Sequence, residues 1–523
     1  MKHKESMYWA DQIARRIVER FPKEKLYTVA AGITPSGTVH IGHFREIITT
    51  DIICRAIKSL GKKARFIYSW DDYDRIRKVP KNVPDPKGFE KYMFMPGVDA
   101  PDPWGCHKSY TLHFEKEAEE AVPLVGIKPQ FIYQSNMYRS CKYAEEIKYV
   151  LENRFQIRVI LNKYRKEPLP ENWYPVAIYC KKCNREQTEI TDWDNDYTLK
   201  YHCKMCNYKG ETNFKKEGLT KLPWRVDWPM RWRYERVSSE GGGKEHNTPG
   251  GSIDTGHDLC KNVFKYGPPV RFMYDFITVK GQTGKMSSSK GDVVTLKENL
   301  EVYIPELTRY IFAGSKPQME FKISFDEDIF KVYEDFYKCE RIYFGKENVN
   351  DRDKAHWSRV YEMSVVNKAP KKMPVQPAFK HCVELINLHR DSEKALEAVP
   401  EKLTKSDKER YLAILICAKN WLAKYAPEQY KFELQENPSS AGLSEKQKAA
   451  LKDLAKALNK NYTDSKELSS VFGEIAKKHD LGFKDFFGAV YQVLINKERG
   501  PRLAPFILAV GRPKIRKILD KIK

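Results

Sequence analysis

Apolar and polar positions change period along the chain in a way that marks its first elements. Residues 27–31 (Tyr-Thr-Val-Ala-Ala) are apolar and β-prone, and Gly32 with the turn Thr34-Pro35-Ser36-Gly37 ends the run. From His43 the spacing becomes helical: Ile48, Ile52 and Ala56 are four apart, flanked by Ile53, Ile57 and Leu60. Gly61 stops that helix where a C-terminal glycine is favoured. A second strand over 64–68 runs into the acidic stretch Trp70-Asp71-Asp72-Tyr73-Asp74. Strand, helix and strand in this order predict the start of a parallel βαβ unit. Its first loop then lies at the carboxyl end of the sheet, where α/β folds bind ligands.

The same reading organises the rest. Residues 1–20 form an amphipathic helix with Trp9, Ile13 and Ile17 on one face, suited to docking on a core. Residues 270–279 read as a strand, and from about 346 onward the spacing is helical. Ser406-x-x-Glu409 and Ser444-x-x-Gln447 have the form of capping boxes. Tyr411, Ile414, Leu415, Ala418, Leu422 and Tyr425 make one apolar face ending before Pro427, and Leu451, Leu454 and Leu458 make another. These stripes are core. The expected architecture is α/β, a Rossmann-like parallel-sheet catalytic domain with an inserted segment and an all-α C-terminal domain. Its parts are 1–155 and 221–300 for the two catalytic halves, 156–220 for the insertion, 301–345 for a connecting region and 346–523 for the helical domain.

Composition narrows the partners. In 523 residues, 92 Lys and Arg face 70 Asp and Glu, a net charge of +22 that suits a polyanion. No leader segment is evident and no apolar run approaches the roughly 20 residues of a membrane span, so a cytoplasmic protein is expected.

Two segments carry the chemistry. His40-Ile41-Gly42-His43 sits where the first strand runs into the first βαβ helix, whose N-terminus offers N–H groups and partial positive charge to a phosphate. Lys285-Met286-Ser287-Ser288-Ser289-Lys290 lies in a loop with glycines at 281, 284 and 291. That loop is not a Walker cradle, because the required glycine five positions before Gly284 is Val279. It suits closing on a triphosphate and reopening. Attack of a carboxylate on the α-phosphate of ATP builds charge on the phosphoryl oxygens and on pyrophosphate. Histidines there need only donate hydrogen bonds that tighten in the transition state.

Both motifs together resemble the signature of class I aminoacyl-tRNA synthetases. The stretch Gly32-Ile33-Thr34-Pro35-Ser36-Gly37-Thr38-Val39-His40-Ile41-Gly42-His43, residues 224–228 (Trp-Arg-Val-Asp-Trp) and Gly243-Lys244-Glu245-His246 with Gly250-Gly251-Ser252 resemble the class I lysyl enzymes found mainly in archaea and some bacteria. One departure is that Ser288 stands where the usual motif has its second lysine, with Lys290 two positions later. The resemblance implies lysine, ATP and tRNA(Lys) as ligands, with neither DNA nor a membrane as partner. It implies ATP contacts from Pro35, Gly37, His40, Gly42, His43, Lys285, Met286, Ser287, Ser288 and Ser289, with His40, His43, Lys285 and Lys290 catalytic. It places Gly32, Thr34, Trp224, His246 and Tyr274 around the amino acid, and makes the helical domain an anticodon reader. Aromatic rings suit a lysine stem and ammonium, with Glu245, Asp254 or Asp258 as candidate counter-charges. Mg²⁺ should accompany ATP, because the triphosphate needs more neutralisation than two lysines give.

Of 11 cysteines, Cys180-x2-Cys183 and Cys203-x2-Cys206 have the spacing of a four-cysteine zinc ribbon. Four protein ligands leave no open position, so a structural Zn²⁺ is expected. The ribbon has little apolar sequence of its own, so metal should supply much of its stability. A second, softer group is Asp99, Cys106, His107 and His113, whose residue types suit zinc but whose spacing matches no standard knuckle. A small-molecule nucleotidyltransferase and a non-catalytic zinc-bearing RNA-binding protein are the other readings. The first does not need a long basic helical tail, and the second leaves both motifs unused.

Overall fold

The computed structural model describes residues 7–79, 83–281, 293–400, 402–462 and 464–522. The chain divides into two compact units, one of residues 1–299, 305–323 and 345–369, the other of 300–304, 324–344 and 370–523.

The first unit is built on a five-stranded parallel sheet. Its strands are β1 (Tyr27–Ile33), β2 (Ala64–Trp70), β3 (Gln130–Tyr133), β4 (Val237–Gly243) and β5 (Val270–Tyr274), in the order β5-β4-β1-β2-β3. The chain builds outward from β1 through β2 to β3, then returns to β1's other edge with β4. The strand order therefore reverses between β1 and β4, where parallel sheets open a crevice at their carboxyl ends. Gly32 allows β1 and β2 to approach, since a Cβ there would stand 2.5 Å from Ser69 O.

Helix α1 (Trp9–Arg20) buries Trp9, Ile13 and Ile17, and Asp11 within it pairs with Arg359 at 2.8 Å. Helix α2 (Ile41–Ser59) is buried through most of its length and ends before Gly61, whose φ is +76°. The fully buried Arg309 donates to Asp51 of α2 at 2.7 Å, to Val125 O at 3.1 Å and to Met363 O at 3.0 Å. Breaking such a buried pair typically costs about 3–5 kcal/mol. These two arginine anchors hold the helix Asp351–Ser364 in the first unit, and residues 301–345 are divided between the two units.

The insertion is a three-stranded antiparallel sheet, Thr188–Trp193, Thr198–Cys203 and Lys209–Asn213, carried on a short stem of Ala177–Ile178 paired with Thr220–Lys221. It is richer in apolar packing than the sequence suggested: Tyr179, Trp193, Leu199, Tyr201 and Phe214 are buried in the same core as Tyr73 and Tyr138.

The second unit is helical, with a core of Leu451, Leu454, Leu468, Phe472, Phe486, Val490, Leu494 and Ile507 among others. Ser444 and Gln447 form the expected capping box. The helix Lys405–Lys424 instead starts from Thr404, whose hydroxyl accepts from Asp407 N, so Ser406 lies inside it. Tyr411, Ile414, Leu415, Ala418 and Leu422 are buried as expected, while Tyr425 is half-buried.

Candidate active site and metal centres

The crevice between β1 and β4 holds a cavity of about 380 Å³. Gly32, Thr34, Trp224, His246 and Tyr274, drawn from four separate stretches of sequence, all line it. Helix α3 (Trp224–Tyr234) enters as an aromatic wall: Trp224 and Trp228 stack with ring centroids 5.3 Å apart, and His246 lies 5.5 Å from Trp224.

Most charge lining the cavity is paired. Arg231 donates to Asp71 at 2.7 Å and lies 3.1 Å from Asp227, and these carboxylates hold it charged despite burial. Asp74 pairs with Lys221; burial opposes its charge, but the ammonium outweighs that and keeps the carboxyl below its usual range. Among the described residues, Glu46, Glu240 and the exposed Arg77 have no ion-pair partner. Glu46 accepts from Gly32 N at 2.8 Å and from Tyr274 Oη at 2.7 Å, and burial pushes its carboxyl up to about 7. Glu240 accepts from the indole N–H of Trp232 at 2.6 Å and is likewise raised by burial.

A second cavity of about 220 Å³ shares Ile33, Glu46, His246 and Tyr274 with the first and adds His40, Gly42, His43 and Glu245. His40 caps α2, and its Nδ1 accepts from Gly42 N at 3.1 Å, so the neutral ring carries its proton on Nε2. His43 stacks on it. The first backbone N–H groups of α2 are already bonded, Ile41 N to Val294 O at 2.7 Å and His43 N to His40 O at 2.9 Å. The imidazoles, rather than the helix N-terminus, are thus the donors offered here. Residues 285–290, with Lys285, Met286, Ser287, Ser288, Ser289 and Lys290, lie outside the described residues. The chain that follows them returns to the histidines, through Val294 and the bridge between Thr295 and His40.

Comparison with known proteins fits this geometry. The family model described as tRNA synthetases class I (K) matches residues 7–367. The chain belongs to this family. A lysine–tRNA ligase of Borreliella burgdorferi is 42% identical over 517 residues, covering 98% of this chain and 99% of that one. One from Pyrococcus horikoshii is 41% identical over 519 residues, covering 97% and 98%. A solved glutamate tRNA ligase from Elizabethkingia meningosepticum aligns over 96% of this chain and 100% of that one at 14% identity, with a TM-score of 0.44, too distant a likeness to bear on substrate.

Other residues singled out in the synthetase's sequence fall elsewhere. Pro35 and Gly37 are buried in the turn from β1 to α2 and line neither cavity. Asp254 is held by Arg271 at 2.7 Å and Asp258 by Tyr164 at 3.2 Å, and neither lines either cavity. Glu46 and Glu240 were not anticipated. Glu46 shares its buried helix with Arg45 and Asp51, and Glu240 is the one charge of its strand, so neither stands out by type until the fold encloses it.

The four knuckle cysteines converge, with ligand atoms within 4.8 Å of one another. Cys180 Sγ lies 3.7 Å from Cys206 Sγ, and Cys183 Sγ lies 3.6 Å from Cys203 Sγ. A tetrahedral ion with bonds of about 2.3 Å to sulfur needs separations of about 3.8 Å, so the donor set fits zinc. Burial opposes ionisation of Cys203, but the N–H groups of Cys206 and Met205 pull its thiol down to about 7.

The second cluster is Asp102, Cys106, His107 and His113, not Asp99. Asp99 is taken by Arg139, at 2.6 Å from both carboxylate oxygens, and by Asn184 at 2.7 Å. Cys106 Sγ lies 3.1 Å from His107 Nδ1 and 3.2 Å from His113 Nδ1, and Asp102 faces both rings within 3.8 Å. One thiol, two imidazoles and a carboxylate at these separations also suit zinc.

Proposed function

We propose that this enzyme activates L-lysine with ATP to lysyl-adenylate and transfers it to tRNA(Lys). One observation carries the reading: an aromatic cavity holds two buried carboxylates without ion-pair partners among the described residues and shares wall residues with a second cavity lined by both histidines. Lysine is an amino acid with two ammonium groups. Glu46, presented by Tyr274 and Gly32 N, suits the ammonium at the end of the side chain, with Glu240 as the second negative site. Trp224, Trp228 and His246 flank the remaining length.

The amino acid's carboxylate then faces the second cavity. There His40 and His43 donate to the α-phosphate as negative charge builds on it, and Lys285, with Lys290 assisting, neutralises the leaving pyrophosphate. Mg²⁺ travels with ATP and adds charge neutralisation to the triphosphate. Zn²⁺ in the four-cysteine knuckle, and a second Zn²⁺ in the Asp102 cluster, serve structure, because each set supplies four protein ligands and leaves no open position. The helical unit, with exposed Arg499, Arg502 and Lys514, is the surface for the tRNA anticodon arm. No helix among the described residues is long and apolar enough to cross a membrane, in keeping with a cytoplasmic translation enzyme.

Pyrophosphate exchange measured across the amino acids, with tRNA present, tests the reading. Lysine-dependent exchange is expected, and exchange with another amino acid but not lysine would overturn it.

A further inference from the structure

The knuckle insertion is fastened to the catalytic unit through three consecutive residues. Tyr73 donates from Oη to Gly218 O at 2.6 Å, and its carbonyl accepts from Tyr179 Oη at 2.6 Å. Asp74 pairs with Lys221. Arg75 donates to Glu186 O at 3.3 Å and lies 3.4 Å from the Glu186 carboxylate. All four partners flank the cysteines. Tyr179 directly precedes Cys180, Glu186 follows Cys183 by three positions, and Lys221 pairs with Ala177 in the stem.

Of the three fastened residues, Asp74 faces the amino-acid cavity. While one oxygen binds Lys221, the other accepts from Thr34 Oγ1 at 3.1 Å, and Asp74 and Thr34 both line the cavity wall. The Lys221 side chain is only 9% exposed, and Asp74 is its one ion-pair partner among the described residues. We propose that Lys221 is a positioning residue that carries the packing of the four-cysteine knuckle into the amino-acid cavity, through Asp74 to Thr34. This rests on the reading of that cavity as the lysine site.

The physical basis is the cost of an uncompensated buried charge. Without the ammonium, Asp74 must take up a proton or turn toward water, and either change releases Thr34. The histidines line the neighbouring cavity, whereas Asp74 and Thr34 lie at the wall of the first. Loss of Lys221 should therefore weaken lysine binding more than it slows chemistry.

The test uses the full-length, metal-loaded enzyme in lysine-dependent pyrophosphate exchange with tRNA present, together with zinc content and thermal melting. Lys221→Met should raise the lysine KM about tenfold or more, the scale of a lost hydrogen bond to a charged group, while kcat falls less and the ATP KM holds. Lys221→Arg should restore most of the loss. Cys203→Ser should raise the lysine KM when Lys221 is present and add little when it is absent, the signature of coupled sites. Thr34→Val, at an exposed position, gives the same comparison should Lys221→Met not fold. Equal, independent effects of Cys203→Ser in both backgrounds would overturn the proposal, as would a wild-type lysine KM in Lys221→Met. A wild-type enzyme that exchanges with no amino acid would instead defeat the reading of the cavity.

Discussion

The rings of His40 and His43 lie face to face, 3.8 Å apart and 18° from parallel, at the start of α2. The two imidazoles form one device. Each fixes the other's plane, and the bond from Gly42 N to His40 Nδ1 sets which nitrogen carries the proton.

Replacing either histidine with Ala should therefore slow adenylate formation by about 10²–10³, the usual cost of one pre-aimed donor, with lysine affinity little changed. Because the rings support each other, the double variant should lose less than the product of the single losses. Single-turnover measurement of adenylate decides this. Near-wild-type rates in both single variants would remove the histidines from the mechanism.

If lysine binds as proposed, Glu46 makes its binding sensitive to pH. Burial raises its carboxyl to about 7, so the empty protein holds a proton there that the unfolded chain releases near the ordinary carboxyl range. The sign follows: as pH rises from about 4.5 to 7, this group's contribution to stability falls, because the folded state binds more protons than the unfolded one. Ammonium binding needs the ionised form, so the lysine KM should fall as pH rises from about 6 to 8, with proton release on binding near neutrality. Calorimetry in buffers of different ionisation enthalpy reads that release. Glu46→Gln should bind lysine weakly and lose the pH dependence; a retained pH dependence would assign it to another group.

Much of this was legible in the sequence because local pattern and chemistry coincide. The alternation to helical spacing around residues 27–60 marks β1 and α2, and the cysteine spacing marks the knuckle, since both are local in the chain. What was not legible depends on distant partners. Asp99 and Asp102 are indistinguishable by type, and only the fold shows that Arg139 claims the first and leaves the second facing Cys106. Similarly, the N–H of Ile41 looked open to a phosphate until Val294, more than two hundred residues away, returned to occupy it. Glu46 and Glu240 are ordinary acids until Tyr274 and Trp232 enclose them.

The metal assignments separate cleanly by substitution. The purified protein should carry two zinc ions, one lost in Cys203→Ser and the other in Asp102→Asn, while Asp99→Asn keeps both. Because buried Trp193, Tyr201 and Phe214 support the insertion, losing the knuckle metal should loosen it without unfolding the catalytic unit. Elemental analysis with hydrogen exchange checks both halves. Two ions retained in Asp102→Asn would dissolve the second centre.

Binding of tRNA should be strongly electrostatic. With a net charge of +22, affinity should fall linearly on a log–log plot against salt, with a slope set by the phosphates contacted. Arg499→Glu with Arg502→Glu should weaken binding and flatten that slope while leaving the melting temperature near wild type, since both side chains are exposed. An unchanged slope would move the tRNA surface elsewhere.

Amino-acid choice is the sharpest test of the cavity. Arg231 lies in its wall and would suit an acidic substrate if it were available, but Asp71 and Asp227 hold it. The remaining negative sites, Glu46 and Glu240, oppose glutamate and favour an ammonium-bearing side chain. Lysine should therefore support exchange well above arginine, glutamate or cysteine. Trp224→Ala removes the ring that stacks on Trp228 and faces His246, and should raise the lysine KM with a smaller effect on kcat. Asp71→Asn and Asp227→Asn together should free the guanidinium and shift the preference away from lysine. If selectivity for lysine survived that double change undiminished, the charge balance of the wall would not be what selects the substrate.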